Sequence, residues 1–230
     1  MPHSARATFD QSIQQLKRRL VQEASAAVSM LEAALEALWR LDPEAAKAVR
    51  IRDDSIDSEE VAIESECFRL LTLQNPLARD FRLLAFILKV NSDVERVADH
   101  ASGIAKVAGK LDKSLPFRWP TALKDMGQRV PAMCHALLRA VLEEDVKGAE
   151  AVAAEDDTID ALDKQLFREV EEMMRADPAN VRNGLLLYRL GRELERVGDL
   201  MKNIAEDVIY LKTGSIVRHE AKRAQRQGNA

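Results

Sequence analysis

Residues 193–199 read ELERVGD, and residues 93–99, one hundred positions earlier, read DVERVAD. If both stretches are helical, each places two acidic side chains four positions apart, on the same face of the helix. Two like charges at that spacing destabilise a helix by about 0.2–0.5 kcal/mol. The same unfavourable pair occurs twice, each time with Arg-Val between the two acids, which indicates an internal repeat. It also indicates that a nearby group relieves the repulsion between the two carboxylates.

The repeat extends well beyond these two stretches. Apolar residues follow a spacing of three and four from Ile87 to Leu111, and each has an apolar partner one hundred positions later. At an offset of 103, RDDSID at 52–57 matches EDDTID at 155–160. A weaker match at the same offset pairs Leu20 with Leu123, Met30 with Met133 and Leu38 with Val141. The chain therefore reads as two copies of a three-helix unit.

Cap and turn signals divide the chain into six helices. Asp42, Asn75 and Asp177 each precede a proline, as expected for an N-cap followed by proline at the first helical position. A further break is expected near Glu144, and LDKSLPFRWP at 111–120 is expected to join the two halves. The predicted helices span residues 5–40, 43–73, 77–111, 120–143, 145–175 and 179–211.

We therefore predict an all-α protein made of two tandem, pseudo-symmetric three-helix bundles. The first bundle spans residues 5–111, the second spans residues 120–211, and residues 212–230 form a basic, flexible tail. Short connections make neighbouring helices antiparallel. The composition agrees with this prediction, because aromatic residues make up only 4% of the chain and only 9 residues are glycine.

Charge and cysteine content restrict the classes of function. The formal net charge of −4 argues against a general nucleic-acid-binding surface. Cys67 and Cys134 belong to no CxxC or Cys/His motif, so we expect buried apolar residues rather than a disulfide or a zinc site. The sequence has neither an apolar run of ~18–20 residues nor the apolar core of a signal peptide. We therefore expect a soluble protein in the cytoplasm.

Eight carboxylates in four i,i+4 pairs are the candidate site residues. The first half contributes Asp53, Asp57, Glu95 and Asp99, and the second half contributes Asp156, Asp160, Glu195 and Asp199. In each antiparallel hairpin, the two pairs lie at about the same distance from the turn. They should therefore face each other between helix axes ~8–10 Å apart. Four carboxylates in such a place raise one another's pKa, unless protonation, arginines or a bound cation relieve the repulsion.

A bound metal ion is the interpretation we favour, because the acids meet at equal height in both halves. The competing interpretation is an acidic face neutralised by arginine. The available arginines are Arg52, Arg82, Arg96, Arg182 and Arg196. All the proposed ligands are oxygens, which indicates hard ions such as Mg²⁺, Ca²⁺, Mn²⁺ or ferric iron, and more than one ion could bind. We expect His100 at the surface or at an interface rather than among the ligands.

The doubled ERVAD/ERVGD, the upstream DDSID/DDTID and NPLARDFR at 75–82 resemble the PhoU family, regulators associated with bacterial phosphate-specific transport. The resemblance covers about residues 5–211 and implies two PhoU-type three-helix bundles. It also implies that the eight carboxylates are the family's E/DxxxD metal-binding motifs, which hold iron or other multinuclear clusters. Ala98 departs from the usual ERIGD, whose glycine is kept at Gly198, so we expect different packing at the first site.

By this resemblance, the chain is a non-enzymatic regulator that damps the phosphate-starvation response. The implied partners are the ATPase subunit of the phosphate ABC transporter and a membrane sensor histidine kinase, which the protein meets from the membrane periphery. We also expect a homodimer and no nucleic-acid partner. Two alternatives are a metal-dependent phosphoesterase and a metal-free structural adaptor. Against the phosphoesterase, the sequence shows no nucleophile elbow, phosphate-binding loop or base outside the ligand set.

Overall fold

The computed structural model describes residues 3–74, 76–112, 114 and 118–214, and these ranges contain helices and connections but no strand. The helices are α1 (His3–Arg40), α2 (Pro43–Ile51), α3 (Asp53–Gln74), α4 (Arg79–Ala108), α5 (Thr121–Glu143), α6 (Val146–Ala176) and α7 (Val181–Thr213). A 3-10 turn, Pro178–Asn180, leads into α7. Among the described residues, no helix is both long and apolar enough to cross a bilayer. Most of the predicted tail, from residue 215 onward, lies outside the described residues.

Each half of the chain is a bundle of three rods. In the first half, α1 and α4 pack along each other, and α2 and α3 together form the third rod against both. In the second half, α5, α6 and α7 pack in the same way. The halves join where α4 packs on α7 and α1 packs on α5. The predicted fold, two tandem and pseudo-symmetric three-helix bundles, is confirmed.

The internal repeat is visible in which residues are buried. On α4 and α7, every buried position from 83 to 99 has a buried counterpart one hundred residues later. On α1 and α5, the buried positions from 20 to 34 recur at an offset of 103. The match between α1 and α5, weak in sequence, is therefore close in structure, and it pairs Glu23 with Met126.

The single helix predicted over residues 43–73 is wrong, because the chain breaks at Arg52 into α2 and α3. The Ser55 hydroxyl donates a hydrogen bond to the Arg52 carbonyl oxygen at 2.6 Å. Aspartate and serine side chains compete for nearby backbone groups, so the stretch DDS restarts a helix rather than continuing one. Asp53 consequently begins α3, where negative charge is favoured, whereas Asp156 lies inside the unbroken α6.

Aspartates cap two of the predicted helix starts. Asp42 and Asp177 each accept a hydrogen bond at 3.0 Å from the backbone N–H two residues further on. The start predicted at residue 77 is wrong, since α4 begins two residues later, after Ala78 with a φ of 45°. Asn75, the predicted cap at that place, lies outside the described residues. The predicted positions of Cys67 and Cys134 are confirmed, because both thiols are buried and free.

A largely buried hydrogen bond between a histidine and a carboxylate crosses between the halves. His100 Nδ1 on α4 lies 2.8 Å from Glu193 Oε2 on α7, and the two side chains are 13% and 11% exposed. Gly103 leaves room for this carboxylate, because a Cβ there would lie 3.2 Å from the Glu193 carboxyl carbon. The hydrogen bond with His100 lowers the pKa of Glu193, although burial opposes this effect. The expectation that His100 lies at an interface is confirmed.

Replacing His100 by alanine is expected to destabilise the protein at pH 7 by about 2 kcal/mol, because Glu193 loses a charge-assisted hydrogen bond. Glu193 has a lowered pKa when folded, so its contribution is present above the unfolded value of about 4.3 and is lost as pH falls below it. The difference between variant and parent should therefore shrink between pH 5 and pH 3.5. Urea unfolding at several pH values measures it.

His135→Ala is the matched control, because His135 pairs with Glu32 where both side chains are about half exposed. That variant should lie within about 0.5 kcal/mol of the parent. Equal losses for the two histidine variants would contradict a special contribution of the pair between the halves.

Candidate metal centre

The four acids predicted in the first half come together between α3 and α4. Asp53 and Asp57 stand one turn apart at the start of α3, and Glu95 and Asp99 stand one turn apart on α4. The charges of Asp53, Asp57 and Asp99 all act on the Glu95 carboxyl group, and so does that of Glu60. We refer to these five residues as the first acidic cluster. The four predicted acids therefore lie close enough for their charges to act on one carboxyl group.

Burial and mutual repulsion raise pKa values in the first acidic cluster. Burial, followed by the charge of Asp99 and the other carboxylates, raises the pKa of Glu95 to about 7. Burial also raises the pKa of Asp53, where a hydrogen bond with the Ser102 side chain acts in the opposite direction. The charges that act most strongly on Glu95 all come from carboxylates. The first acidic cluster is thus a concentration of negative charge that a cation would relieve.

The donor chemistry of the first acidic cluster fits a hard cation. Its side chains offer carboxylate oxygens, the ligands that Mg²⁺, Ca²⁺ and Mn²⁺ prefer. One of these atoms, Asp53 Oδ1, is buried and has no hydrogen-bond partner. Within the described ranges, however, no three His, Cys, Asp or Glu side chains are already arranged around one point as metal ligands. Binding a cation here therefore requires carboxylate side chains to turn toward it.

The second half groups the matching acids between α6 and α7. Burial raises the pKa of Asp199, and the charges of Asp156 and Asp160 raise it further. Burial likewise raises the pKa of Glu195, with contributions from Asp199 and Asp163. We refer to these five residues as the second acidic cluster. Asp163 occupies the place that Glu60 has in the first half.

Two cations of the chain itself pair with three of the five acids in the second acidic cluster. Lys202 Nζ pairs with Asp156 Oδ2, on a residue that is only 2% exposed. Arg192 Nη1 lies 3.2 Å from Asp163 Oδ2 and 3.0 Å from Glu195 Oε1. The two clusters therefore share their acids but differ in how the charge is balanced.

The competing interpretation, neutralisation by arginine, agrees with the ion pairs of the second half, but through an arginine that was not among those named. Arg96, inside the first motif, contacts Asp93 at 3.4 Å rather than the acidic cluster. Arg192 and Lys202 were not predicted. Each lies three residues outside the ExxxD motif of α7, on the same face of the helix. That spacing is the signal from which both could have been identified.

The alanine that departs from the family motif does not set the two clusters apart. A Cβ placed on Gly198 would lie 3.4 Å from Ile159 Cγ2, which is ordinary van der Waals contact. Ala98 is fully buried at the corresponding position of the first half. The packing difference expected at Ala98 is therefore small.

Comparison with known proteins places both halves of the chain in one family model. The model described as "PhoU domain" matches residues 20–108 and again residues 123–208. A Deinococcus radiodurans protein named phosphate-specific transport system accessory protein PhoU homolog is 39% identical over 186 residues, covering 81% of this chain and 87% of that protein. A Pseudomonas aeruginosa protein of the same name is 33% identical over 220 residues, covering 95% and 91% of the two chains.

Solved structures show the same architecture. The crystal structure of PhoU from Pseudomonas aeruginosa superposes with a TM-score of 0.87 at 33% identity, covering 90% of this chain and all of that one. A second crystal structure, of the phosphate transport system regulatory protein PhoU from Streptococcus pneumoniae, has a TM-score of 0.85 at 31% identity. It covers 91% of this chain and 99% of that one. The likeness therefore covers about nine-tenths of this chain and includes both bundles.

Proposed function

The chain belongs to the PhoU family, and from that membership we propose that it is a non-enzymatic accessory regulator of phosphate-specific transport. Its curated relatives from Deinococcus radiodurans and Pseudomonas aeruginosa are named as accessory proteins of that system. The match spans nearly the whole length of these relatives, so both bundles are shared with them. The regulator damps the phosphate-starvation response by contact with other proteins.

A hard cation at the first acidic cluster is part of this proposal. The observation that supports it is the concentration of carboxylates around Glu95, whose pKa burial and neighbouring acids raise to about 7. Asp53, Asp57, Glu95 and Asp99 would hold the ion through their oxygens. Iron, Mn²⁺ and Mg²⁺ are the candidates from ligand chemistry. A bound cation would link the carboxylates of α3 to those of α4 and would neutralise part of the negative charge of the first acidic cluster.

The surface of this cluster suits an adaptor because its outer acids reach solvent. Asp57 and Asp99 are both exposed, whereas Asp53 and Glu95 lie deeper between the helices. We assign as partners the ATPase subunit of the phosphate ABC transporter and a membrane sensor histidine kinase, which a homodimer of the protein meets from the membrane periphery. The protein then couples the state of the transporter to the activity of the kinase.

Removing one exposed acid from each cluster, by Asp99→Ala combined with Asp199→Ala, is expected to weaken capture of both partners by at least about tenfold. Charged groups across an interface set orientation and association rate, and here they also hold the proposed cation. The measurement is a pull-down of the transporter ATPase and of the kinase with purified protein. Undiminished capture by this variant would show that the acidic clusters do not organise the partner surface.

The matched control is Glu150→Ala combined with Glu172→Ala. These two acids are exposed on α6 and belong to neither cluster, so the control has the same change in net charge. It should capture both partners as well as the parent does. Loss of capture in the control would assign the effect to net charge rather than to the clusters.

A metal-dependent phosphoesterase is the second candidate function, since carboxylate-bound metal can activate water. A phosphatase assay with Mn²⁺, Mg²⁺ or iron separates it from the adaptor. Turnover that Glu95→Ala abolishes would replace the regulatory proposal with an enzymatic one. The third candidate, a metal-free structural adaptor, is separated by elemental analysis of protein purified without chelator.

A further inference from the structure

The two halves differ at four positions that face or flank the acidic clusters. The first half has Glu23, Asn91, Ser92 and Ser102, and the matching residues of the second half are Met126, Gly191, Arg192 and Lys202. The matching follows from the shared burial pattern of the paired helices. At these positions the first half thus has four oxygen-bearing side chains, whereas the second half has one methionine, one glycine and two cationic side chains.

Glu23 on α1 is a buried carboxylate without a partner. The residue is 3% exposed, and neither Oε1 nor Oε2 has a hydrogen-bond partner. Burial and the charges of Glu59, Glu60 and Glu95 raise the pKa of Glu23 to about 8, and Arg19 acts in the opposite direction. The Arg19 guanidinium itself donates to Glu59 Oε1 at 2.7 Å. Glu23 therefore adds a sixth carboxylate, from a third helix, on the inner side of the first acidic cluster.

Asn91 supplies a second unpartnered oxygen in the same region. It lies one turn before Glu95 on α4, and it is 1% exposed. Its Nδ2 donates a hydrogen bond to the Glu60 carbonyl oxygen at 2.9 Å, which fixes the orientation of the amide. The remaining oxygen, Oδ1, is buried without a partner. A buried oxygen left in this way is costly unless a ligand or a proton donor meets it.

The second half fills the corresponding space with apolar atoms. A Cβ placed on Gly191 would lie 2.0 Å from Leu166 Cδ2 and 3.9 Å from Met126 Sδ. Met126 is fully buried. By the internal symmetry, Glu23 and Asn91 occupy the positions that Met126 and Gly191 have in the second half. The two halves therefore differ in the side chains at this buried position, which are polar in the first half and apolar in the second.

The outer side of the clusters differs in the same sense. Ser102 offers Asp53 a neutral hydrogen bond, whereas Lys202 offers the matching Asp156 a positive charge. A lysine ammonium inside a carboxylate cluster occupies the place and supplies the charge of a metal ion. An additional cation gains less there than in the first half, because Lys202 and Arg192 already supply part of the counter-charge. Asp163 Oδ1 and Glu195 Oε2 are nevertheless buried without a hydrogen-bond partner.

We propose that cation binding is confined to the first half, and that Glu23 and Asn91 supply ligand oxygens on the inner side of its site. The ligand class is a hard divalent cation such as Mn²⁺, Mg²⁺ or Ca²⁺, because every donor is a carboxylate or amide oxygen. This inference rests on the cation of the proposed function and adds its location and inner ligands. The second acidic cluster is a site neutralised by Lys202 and Arg192 and takes no metal.

The test counts Mn²⁺ bound to the full chain after removal of metals by chelator, using equilibrium dialysis and electron paramagnetic resonance. Glu23→Met and Ser102→Lys each import the residue that the second half carries, so the fold has a precedent for both. Each should weaken Mn²⁺ binding by at least about tenfold, the loss typical of a disrupted metal site. Glu23→Gln, which keeps the shape of the side chain, should do the same.

Asp160→Asn is the control in the second acidic cluster, and it should bind as much Mn²⁺ as the parent. Thermal unfolding without metal shows whether Glu23→Met is folded, and its Tm should equal or exceed that of the parent. Parent-like Mn²⁺ binding by the Glu23 variants would overturn the inner ligands while leaving the proposed cation intact. Loss of Mn²⁺ in Asp160→Asn would overturn confinement to the first half. A parent protein that binds no Mn²⁺ would overturn the cation of the proposed function together with this inference, whereas the partner pull-down tests regulation separately.

Discussion

Lys202→Met is expected to lower the free energy of unfolding by roughly 3 kcal/mol, because it leaves the Asp156 carboxylate buried without its cation. Asp156 is 2% exposed, and its charge acts on the neighbouring Asp199 carboxyl group. Breaking a buried ion pair from one side costs about 3–5 kcal/mol. We expect the lower end of that range, since the Lys202 side chain is itself one-third exposed. Urea unfolding at pH 7 with an unchanged m-value measures the loss.

The double variant Asp156→Val with Lys202→Met separates charge from packing. Replacing both members of a buried pair by apolar residues is often neutral, so the double variant should recover most of the loss. Lys212→Met is the matched exposed control, because Lys212 pairs with Glu144 at the surface. That control should change stability by less than about 0.5 kcal/mol. If the buried and exposed lysine variants lost the same stability, Lys202 would not be the counter-charge of the second acidic cluster.

Gly191→Val is expected to destabilise the protein by about 3 kcal/mol through overpacking. A Cβ on residue 191 would lie 2.0 Å from Leu166 Cδ2, closer than any real contact. Leu166 is fully buried, so its side chain has little free space into which to move. The branched valine side chain adds to the clash, and this outweighs the better helix propensity of valine over glycine. Thermal and urea unfolding measure the effect.

A smaller residue at position 166 should relieve this clash. In the double variant with Leu166→Ala, the combined loss should be well below the sum of the two single losses, because the Leu166 atom that the new side chain meets is gone. Gly109→Ala is the glycine control, since a Cβ there meets nothing within 4 Å and its φ is −70°. That variant should be neutral or slightly stabilising. Additive losses at positions 191 and 166 would contradict direct contact between them.

The repeat and the acidic pairs were predictable because they depend on helix geometry alone. A spacing of four residues places Glu95 with Asp99, and Glu195 with Asp199, on single faces whatever the rest of the fold does. Two antiparallel helices with a short turn then bring equidistant residues to the same height. In the first bundle the charges of the other three predicted acids act on Glu95. In the second bundle Asp156 and Asp160 act on Asp199, and Asp199 acts on Glu195.

Local competition for backbone groups was harder to weigh. The apolar pattern of a helix continues across Arg52 in the sequence. The restart is visible only in the structure, where the Ser55 hydroxyl and backbone N–H both donate hydrogen bonds to the Arg52 carbonyl oxygen. The matching region of α6 carries threonine where the first half has Ser55, and it remains helical. Whether a helix continues or restarts at this place depends on a few hydrogen bonds between side chains and the backbone. The spacing of apolar residues carries no information about these bonds.

The all-α class, the duplication and the composition of each acidic pair could be predicted from the residues alone, because they follow from repeated spacings along one helix at a time. Only the tertiary structure showed that Glu23 reaches the first cluster from a third rod, and that Lys202 rather than Arg196 neutralises the second. Those contacts depend on how far each helix is rotated and shifted against its neighbours. That placement is set by the summed packing of many core side chains, and no spacing within a single helix encodes it.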